Sequence, residues 1–265
     1  MNKYSQQKFS MDVIYILRIL ELIDEGKVCD KKEISLNFGI GEPKAEAYLD
    51  YLDILNLIDK TNKITFLGKV ILKLNGNVDY SYSILHYQFA KGWNKGGHEF
   101  YSLLVNNFLY EKFSDFDNTF NKSYFLKKIN KLNAKGMKTF NDLMSNSLKA
   151  LVDAETGFGK MGIVEKSGED EYRVHSYYLE PLVALYIICD MWDSNQTAMS
   201  IDEMISDDYN LGKMFLMDES TISEILEELQ VKRYIVIEKS NTLNQIKLMD
   251  GVNKEFVLEE IIKDA

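Results

Sequence analysis

The chain has 265 residues, 46% of them hydrophobic and 27% charged, with a formal net charge of −10. That length can bury a sizeable core without covalent staples, and the composition excludes disorder over the whole chain. Two cysteines, Cys29 and Cys189, are too few for a disulfide framework and read as small core residues of a reduced compartment; no apolar run reaches the roughly 20 residues of a membrane span, and the first residues lack a signal-peptide core.

Residues 11–25 carry Val13, Ile14, Ile16, Leu17, Ile19, Leu20, Leu22 and Ile23 as a broad apolar face at helical spacing, with Gly26 as the stop. Asp30 is placed to cap a short helix over 31–37, and a Gly39/Gly41 turn leads to Pro43, which suits the first turn of a helix over 43–57. Residues 58–65 read as two short extended pieces around a polar turn, after which Thr65 caps a helix over 66–74. Four helical segments follow, at 79–91, 98–113, 122–132 and 137–153, joined by glycine-bearing or polar links that include 114–121. Residues 162–166 and 171–174 read as a hairpin. Pro181 opens a helix to Trp192 in which Asp190 is the one charge, the pattern of a helix buried on all sides. Short helices at 200–206 and 211–215, a helix over 218–229, a hairpin of 234–238 with 243–248 and a last helix over 253–263 complete the chain.

Helix, short helix, longer helix, hairpin is the order of a winged helix-turn-helix, and it occurs at both ends. The expected fold class is therefore mostly α with small β-hairpins: an N-terminal winged helix over 1–76, a helical middle with a hairpin over 77–176, and a C-terminal winged-helix-like domain over 177–265.

Charge is distributed unevenly along this order. Residues 61–140 hold 12 basic and five acidic side chains, whereas 141–265 hold 11 basic and 25 acidic. Affinity for a polyanion follows local potential rather than net charge, so a basic island can bind one within an acidic whole. Its sharpest part is 121–140, with Lys122, Lys127, Lys128, Lys131, Lys135 and Lys138 and no acid. There Phe125, Ile129 and Leu132 would face the core while Lys127, Lys128, Lys131 and Lys135 face outward together. Like charges at helical spacing repel, and phosphate groups would relieve that repulsion. The plainer readings are a solvated lysine face, or one docked on the chain's own acidic third. Lys44 on the helix over 43–57, and Lys60 and Lys63 in the following turn, are further candidates for DNA contact. Trp93, between Lys91 and Lys95, could stack on a base or simply anchor a helix junction. Only three arginines occur, Arg18, Arg173 and Arg233, which argues for non-specific phosphate contact over guanine readout. The helix over 218–229 carries Asp218, Glu219, Glu224, Glu227 and Glu228 and no Lys or Arg, so its module reads as one for protein contact, or as purely structural, rather than for DNA.

Catalytic signals are weak. His86, His98 and His175 are isolated, neither cysteine has a partner motif, and Gly157-Phe-Gly159-Lys160 is too short for a phosphate-binding loop. No metal site or cofactor is expected.

The runs Phe38-Gly-Ile-Gly-Glu-Pro-Lys44, Leu52-Asp-Ile-Leu-Asn-Leu-Ile58 and Ile64-Thr-Phe-Leu-Gly68, with the later Gly157-Phe-Gly-Lys-Met-Gly-Ile-Val164, Tyr172-Arg-Val174, Leu179-Glu-Pro181 and Asn210-Leu-Gly-Lys-Met-Phe-Leu216, resemble the bacterial domain-of-unknown-function family 4007 over roughly residues 30–262. The resemblance implies a gene neighbourhood of DNA phosphorothioation-type modification and restriction, and it supplies no catalytic residues. The combined expectation is a cytoplasmic, non-catalytic, DNA-associated subunit of a bacterial modification or antiphage defence system, with a protein partner and no membrane contact; whether it forms a homo-oligomer is left open. The alternatives are a protein–protein adaptor, such as a winged-helix accessory subunit of an ATPase machine, and a transcription regulator.

Overall fold

The computed structural model describes residues 9–28, 30–92, 95–115, 117–133, 136–240 and 243–265. The chain is mostly helical with two small antiparallel sheets. Cys29, Trp93 and Lys135 lie outside the described residues.

Helix α1 (Val13–Asp24) starts where the Asp12 carboxylate accepts the Tyr15 N–H. Helix α2 (Lys31–Phe38) is capped by Asp30, which accepts from the backbone of Lys32 and Glu33, and ends at Gly39 in the left-handed region. Helix α3 (Glu42–Ile54) carries Pro43 in its first turn, and α4 (Phe66–Leu74) is capped by Thr65. The extended pieces expected between α3 and α4 reduce to one antiparallel bridge, Ile58 with Ile64. The reason is local. Asp59 accepts hydrogen bonds from Thr61 and Lys63, which closes the turn tightly, and Thr65 begins the next helix at once.

Helix α5 (Ser83–Ala90) is buried along its whole length and follows a wide π-helical turn, Val78–Tyr82. The expected helix over 98–113 is present as α6 (Glu99–Leu103) and α7 (Tyr110–Ser114), joined through a second π-helical stretch, Leu104–Leu109. Strand β1 (Thr119–Asn121) runs directly into α8 (Lys122–Ile129) and a 3-10 turn, Asn130–Leu132; α9 (Phe140–Val152) follows. Strands β2 (Val164–Lys166) and β3 (Glu171–Val174) form the expected hairpin, and β1 adds to the outer edge of β3 with Phe120 opposite Tyr172. The sequence reading took 114–121 as a link and missed β1.

Helix α10 (Pro181–Met191) is buried from Pro181 through Ile188. Then come β4 (Met199–Ser200), α11 (Ile201–Ser206), α12 (Leu211–Phe215), α13 (Glu219–Val231), β5 (Ile235–Lys239), β6 (Asn244–Leu248) and α14 (Lys254–Asp264). The second sheet has the order β4-β6-β5, so β4 pairs with the far strand of the hairpin.

Buried side chains form one cluster from Met11 to Ile261. Phe158 sits inside a ring of Tyr82, His86, Phe89 and Tyr101, at centroid distances of 5.6–6.4 Å. The two ends meet: α4 packs on α14, and the Tyr80 hydroxyl donates to Asp264 at 2.5 Å. One interior charge group ties α5, α10 and α14 together. The Asp190 carboxylate accepts from Tyr87 Oη (2.8 Å) and Lys254 Nζ (2.8 Å), with Lys91 Nζ at 3.7 Å. Desolvation pushes the Asp190 pKa up, but the Lys254 bond, the Lys91 charge and the Tyr87 hydroxyl outweigh it and hold the carboxyl below its ordinary value. Among the described residues no helix is long and apolar enough to cross a membrane.

Candidate nucleic-acid interface

Helix α8 gives the basic island its geometry. The Asn121 side chain accepts the Tyr124 N–H and sets the first turn. Phe125 and Ile129 are buried, Phe125 against Phe108 and Phe120, and this fixes the rotation of the helix. Lys122 and Lys127 are exposed on α8, Lys131 on the 3-10 turn and Lys138 just before α9. None of these four forms an ion pair with a described residue.

Lys128 differs from the expectation that it would point outward with its neighbours. Its ammonium group is bound to Glu111 of α7 and lies 5.5 Å from the Tyr124 ring centroid. The Glu111 hydrogen bond, then Tyr124, raise its pKa. It is thus a cross-link between α7 and α8 rather than a free cation. Lys44 is also committed. It is half-buried in the first turn of α3, with its ammonium 5.3 Å from the Tyr15 ring centroid and 5.9 Å from that of Tyr48. Lys60 and Lys63 are exposed on the tight turn held by Asp59, whose pKa is lowered by the Thr61 and Lys63 bonds.

A groove of about 340 Å³ opens beside α8, and the sequence reading did not foresee it. Lys122 from α8, Lys149 from the last turn of α9 and Lys166 from the end of β2 line it, with Tyr172 of β3, Ser145 and Asp153. Phe125, Leu148 and Val152 complete its walls. Tyr172 stacks on Phe120 at 5.2 Å and 21°, and burial raises its pKa. Asp153 accepts the Glu155 and Thr156 N–H groups, each at 2.9 Å; these bonds, Thr156's first, hold its carboxyl low. The signal for this groove in the sequence is thin, because its three lysines come from three elements.

Two of the three histidines are structural. His86 is fully buried; its Nε2 bonds the Met214 carbonyl (2.8 Å), so it carries the proton, and Nδ1 accepts from Tyr101 Oη (2.7 Å). His98 caps α6 by accepting the Tyr101 N–H. Burial lowers their pKa values to about 4 and about 3. His175 is half-exposed, 3.3 Å from Glu165. Cys189 is half-buried, and burial pushes its thiol up to about 12, away from nucleophilic character. On α13, Glu219, Glu224, Glu227 and Glu228 are exposed, while Asp218 accepts the Thr221 N–H as the cap.

These features define a class: a mostly helical protein with small antiparallel sheets, a lysine-bearing central helix α8 and an acidic helix α13. The chain belongs to a family described as "Protein of unknown function (DUF4007)", whose profile matches residues 20–264. Two solved structures share its fold. The "Magnesium ion-bound SspB crystal structure" is 11% identical with a TM-score of 0.69, and the "SspB crystal structure" is 12% identical with a TM-score of 0.67; each alignment covers 98% of this chain and 86% of the other. No curated protein matches the chain.

Proposed function

We propose that this protein is a non-catalytic, DNA-associated subunit that holds the phosphate backbone on its basic central surface and docks a protein partner through the acidic helix α13. The carrying observation is that Lys122, Lys127, Lys131 and Lys138 are exposed around α8 with no ion-pair partner among the described residues. Ammonium groups so placed gain by releasing counterions from a polyphosphate. We read both ends as winged-helix modules. The C-terminal order of α10, β4, α11–α12, α13, β5 and β6, with β4 on β6, supports that reading more strongly than the N-terminal end, where a single bridge stands for the wing. Family membership makes a bacterial DNA-modification or antiphage defence system, of the phosphorothioation kind, the setting we propose, and the cytoplasm the compartment.

Among the described residues, no group of three or more His, Cys, Asp or Glu side chains is placed to hold a metal. Fluorescence anisotropy with unrelated duplexes at low and then moderate salt tests the proposal. Saturable, sequence-indifferent, salt-sensitive binding supports it. Absence of binding at low salt refutes it and leaves the adaptor reading, while operator-specific binding would favour a transcription regulator.

A further inference from the structure

We infer that the groove between α8, α9 and the β2–β3 hairpin is a binding site for one nucleotide, either free or at the unpaired end of a strand. Backbone binding by α8 is a separate matter, because it needs no cavity. The groove's volume of about 340 Å³ falls in the range of roughly 300–1,000 Å³ that small-ligand clefts occupy. Its lining has the mixed character of a nucleotide. Three lysines, Lys122, Lys149 and Lys166, line it from three different elements, and none forms an ion pair with a described residue. Three unpaired cations along one groove suit a phosphate. The remaining wall is apolar or aromatic. Phe125 and Leu148 are buried beneath it, Val152 flanks them, and Tyr172 is held in place by Phe120. That wall would be idle with a bare anion, but it suits a heterocyclic ring. Two acceptors complete the set. Ser145 donates its own proton to the Asn141 carbonyl (2.7 Å), which leaves its oxygen to accept, and Asp153 keeps its charge because the 154–156 turn hydrogen-bonds it. Eight residues along α9 put the two about 12 Å apart, so the exocyclic amino group of a base such as adenine would meet one of them, not both.

Isothermal titration of the full chain at low salt, with dAMP, deoxyadenosine, inorganic phosphate and a 5′-phosphorylated single-stranded oligonucleotide, tests this. Saturable dAMP binding is expected, with phosphate and nucleoside each weaker by ~10-fold or more, since each lacks half of the contacts. Lys149→Gln and Lys166→Gln should each weaken dAMP by ~10-fold, which is the loss of one charge-assisted hydrogen bond. Tyr172→Ala should weaken it and Tyr172→Phe should not. Oligonucleotide binding tighter than dAMP, and equally sensitive to Lys149→Gln, identifies a strand end as the source; binding of dAMP alone identifies a free nucleotide. The inference is overturned if neither dAMP nor the oligonucleotide saturates, if phosphate binds as well as dAMP, or if both lysine variants bind as the parent does. Duplex binding is judged on Lys127 and Lys131, so either proposal can fail without the other.

Discussion

If α8 and its flanks hold the phosphate backbone, the salt dependence of duplex binding counts the lysines involved. Four exposed ammonium groups, Lys122, Lys127, Lys131 and Lys138, carry no intramolecular ion pair among the described residues. At about 0.9 per phosphate neutralised, one phosphate each gives a log–log salt slope of about −3.6. Affinity should then fall about 150-fold between about 50 and about 200 mM salt. The double variant Lys127→Gln/Lys131→Gln removes two of the four and should bring the slope to about −1.8, so that the same salt change costs about 12-fold. Lys128→Gln is the internal contrast. Its ammonium group is taken by Glu111, so the slope should stay near the parental value while the α7–α8 link is lost. Anisotropy titrations of one labelled duplex at four or more salt concentrations measure all three slopes. A parental slope near zero, or a double variant indistinguishable from the parent, would refute the assignment of these lysines.

The other expectations concern the interior. Burial lowers the pKa of His86 to about 4 and of His98 to about 3. Unfolded histidine titrates near 6.5, so the unfolded chain binds more protons below that pH and stability must fall as pH drops; the two together should cost about 4 kcal/mol by about pH 5. Urea midpoints at those pH values measure the loss, and an imidazole NMR titration of either residue near pH 6.5 would contradict its burial. Asp190→Asn leaves Lys91 and Lys254 facing each other without a carboxylate and should cost about 3 kcal/mol at neutral pH. Because the folded Asp190 pKa is depressed, its contribution is present above about pH 4 and is lost as pH falls further, so the variant should lack that part of the parent's acid sensitivity; an unchanged midpoint at neutral pH would dismiss the network as a stabilising element. Gly212 has no room for a side chain, since an added Cβ would lie 2.2 Å from the Ile205 carbonyl oxygen. Gly212→Ala should destabilise by about 1–3 kcal/mol, and a parental Tm would show that the α11–α12 approach is loose.

What was legible in the sequence was local chemistry. Asp30 and Thr65 each cap the helix their short polar side chains announce. Pro43 and Pro181 open helices because a first-turn residue needs no N–H partner. The missed elements were set by distant partners. Strand β1 has three residues, one of them apolar and buried, and exists because β3, some 50 residues later, offers an edge to pair with. Strand β4 has two residues and depends on β6 in the same way. The π-helical turns escaped notice because an inserted residue leaves the apolar pattern on either side helical. In the site, the rotation of α8 followed from Phe125 and Ile129, but the capture of Lys128 depended on Glu111, 17 residues upstream on another helix. The groove lysines fared worse. Lys149 and Lys166 sit in stretches of mixed charge, and only the packing of α9 against α8 and of β2 against α9 brings them beside Lys122.

An acidic third and a basic middle in one chain invite mutual neutralisation, and the ion pairs argue against it. Among the described residues, the one salt bridge between 61–140 and 141–265 joins Lys91 to Asp190 in the interior, and it uses neither α8 nor the groove. Lys128 is neutralised, but by Glu111 from the same middle section. The exposed lysines of α8 are therefore not spent on the exposed carboxylates of α13. The converse also holds: Glu219, Glu224 and Glu227 form no ion pair with a described residue, and Val231 beside them is 82% exposed. An acidic face of that kind repels a phosphate backbone, so a DNA duplex on α8 and a basic protein surface on α13 would occupy separate parts of the chain. A bridging subunit needs that separation. An adaptor with no nucleic-acid contact would leave the same four lysines solvated, so the salt slope of duplex binding decides between the two readings.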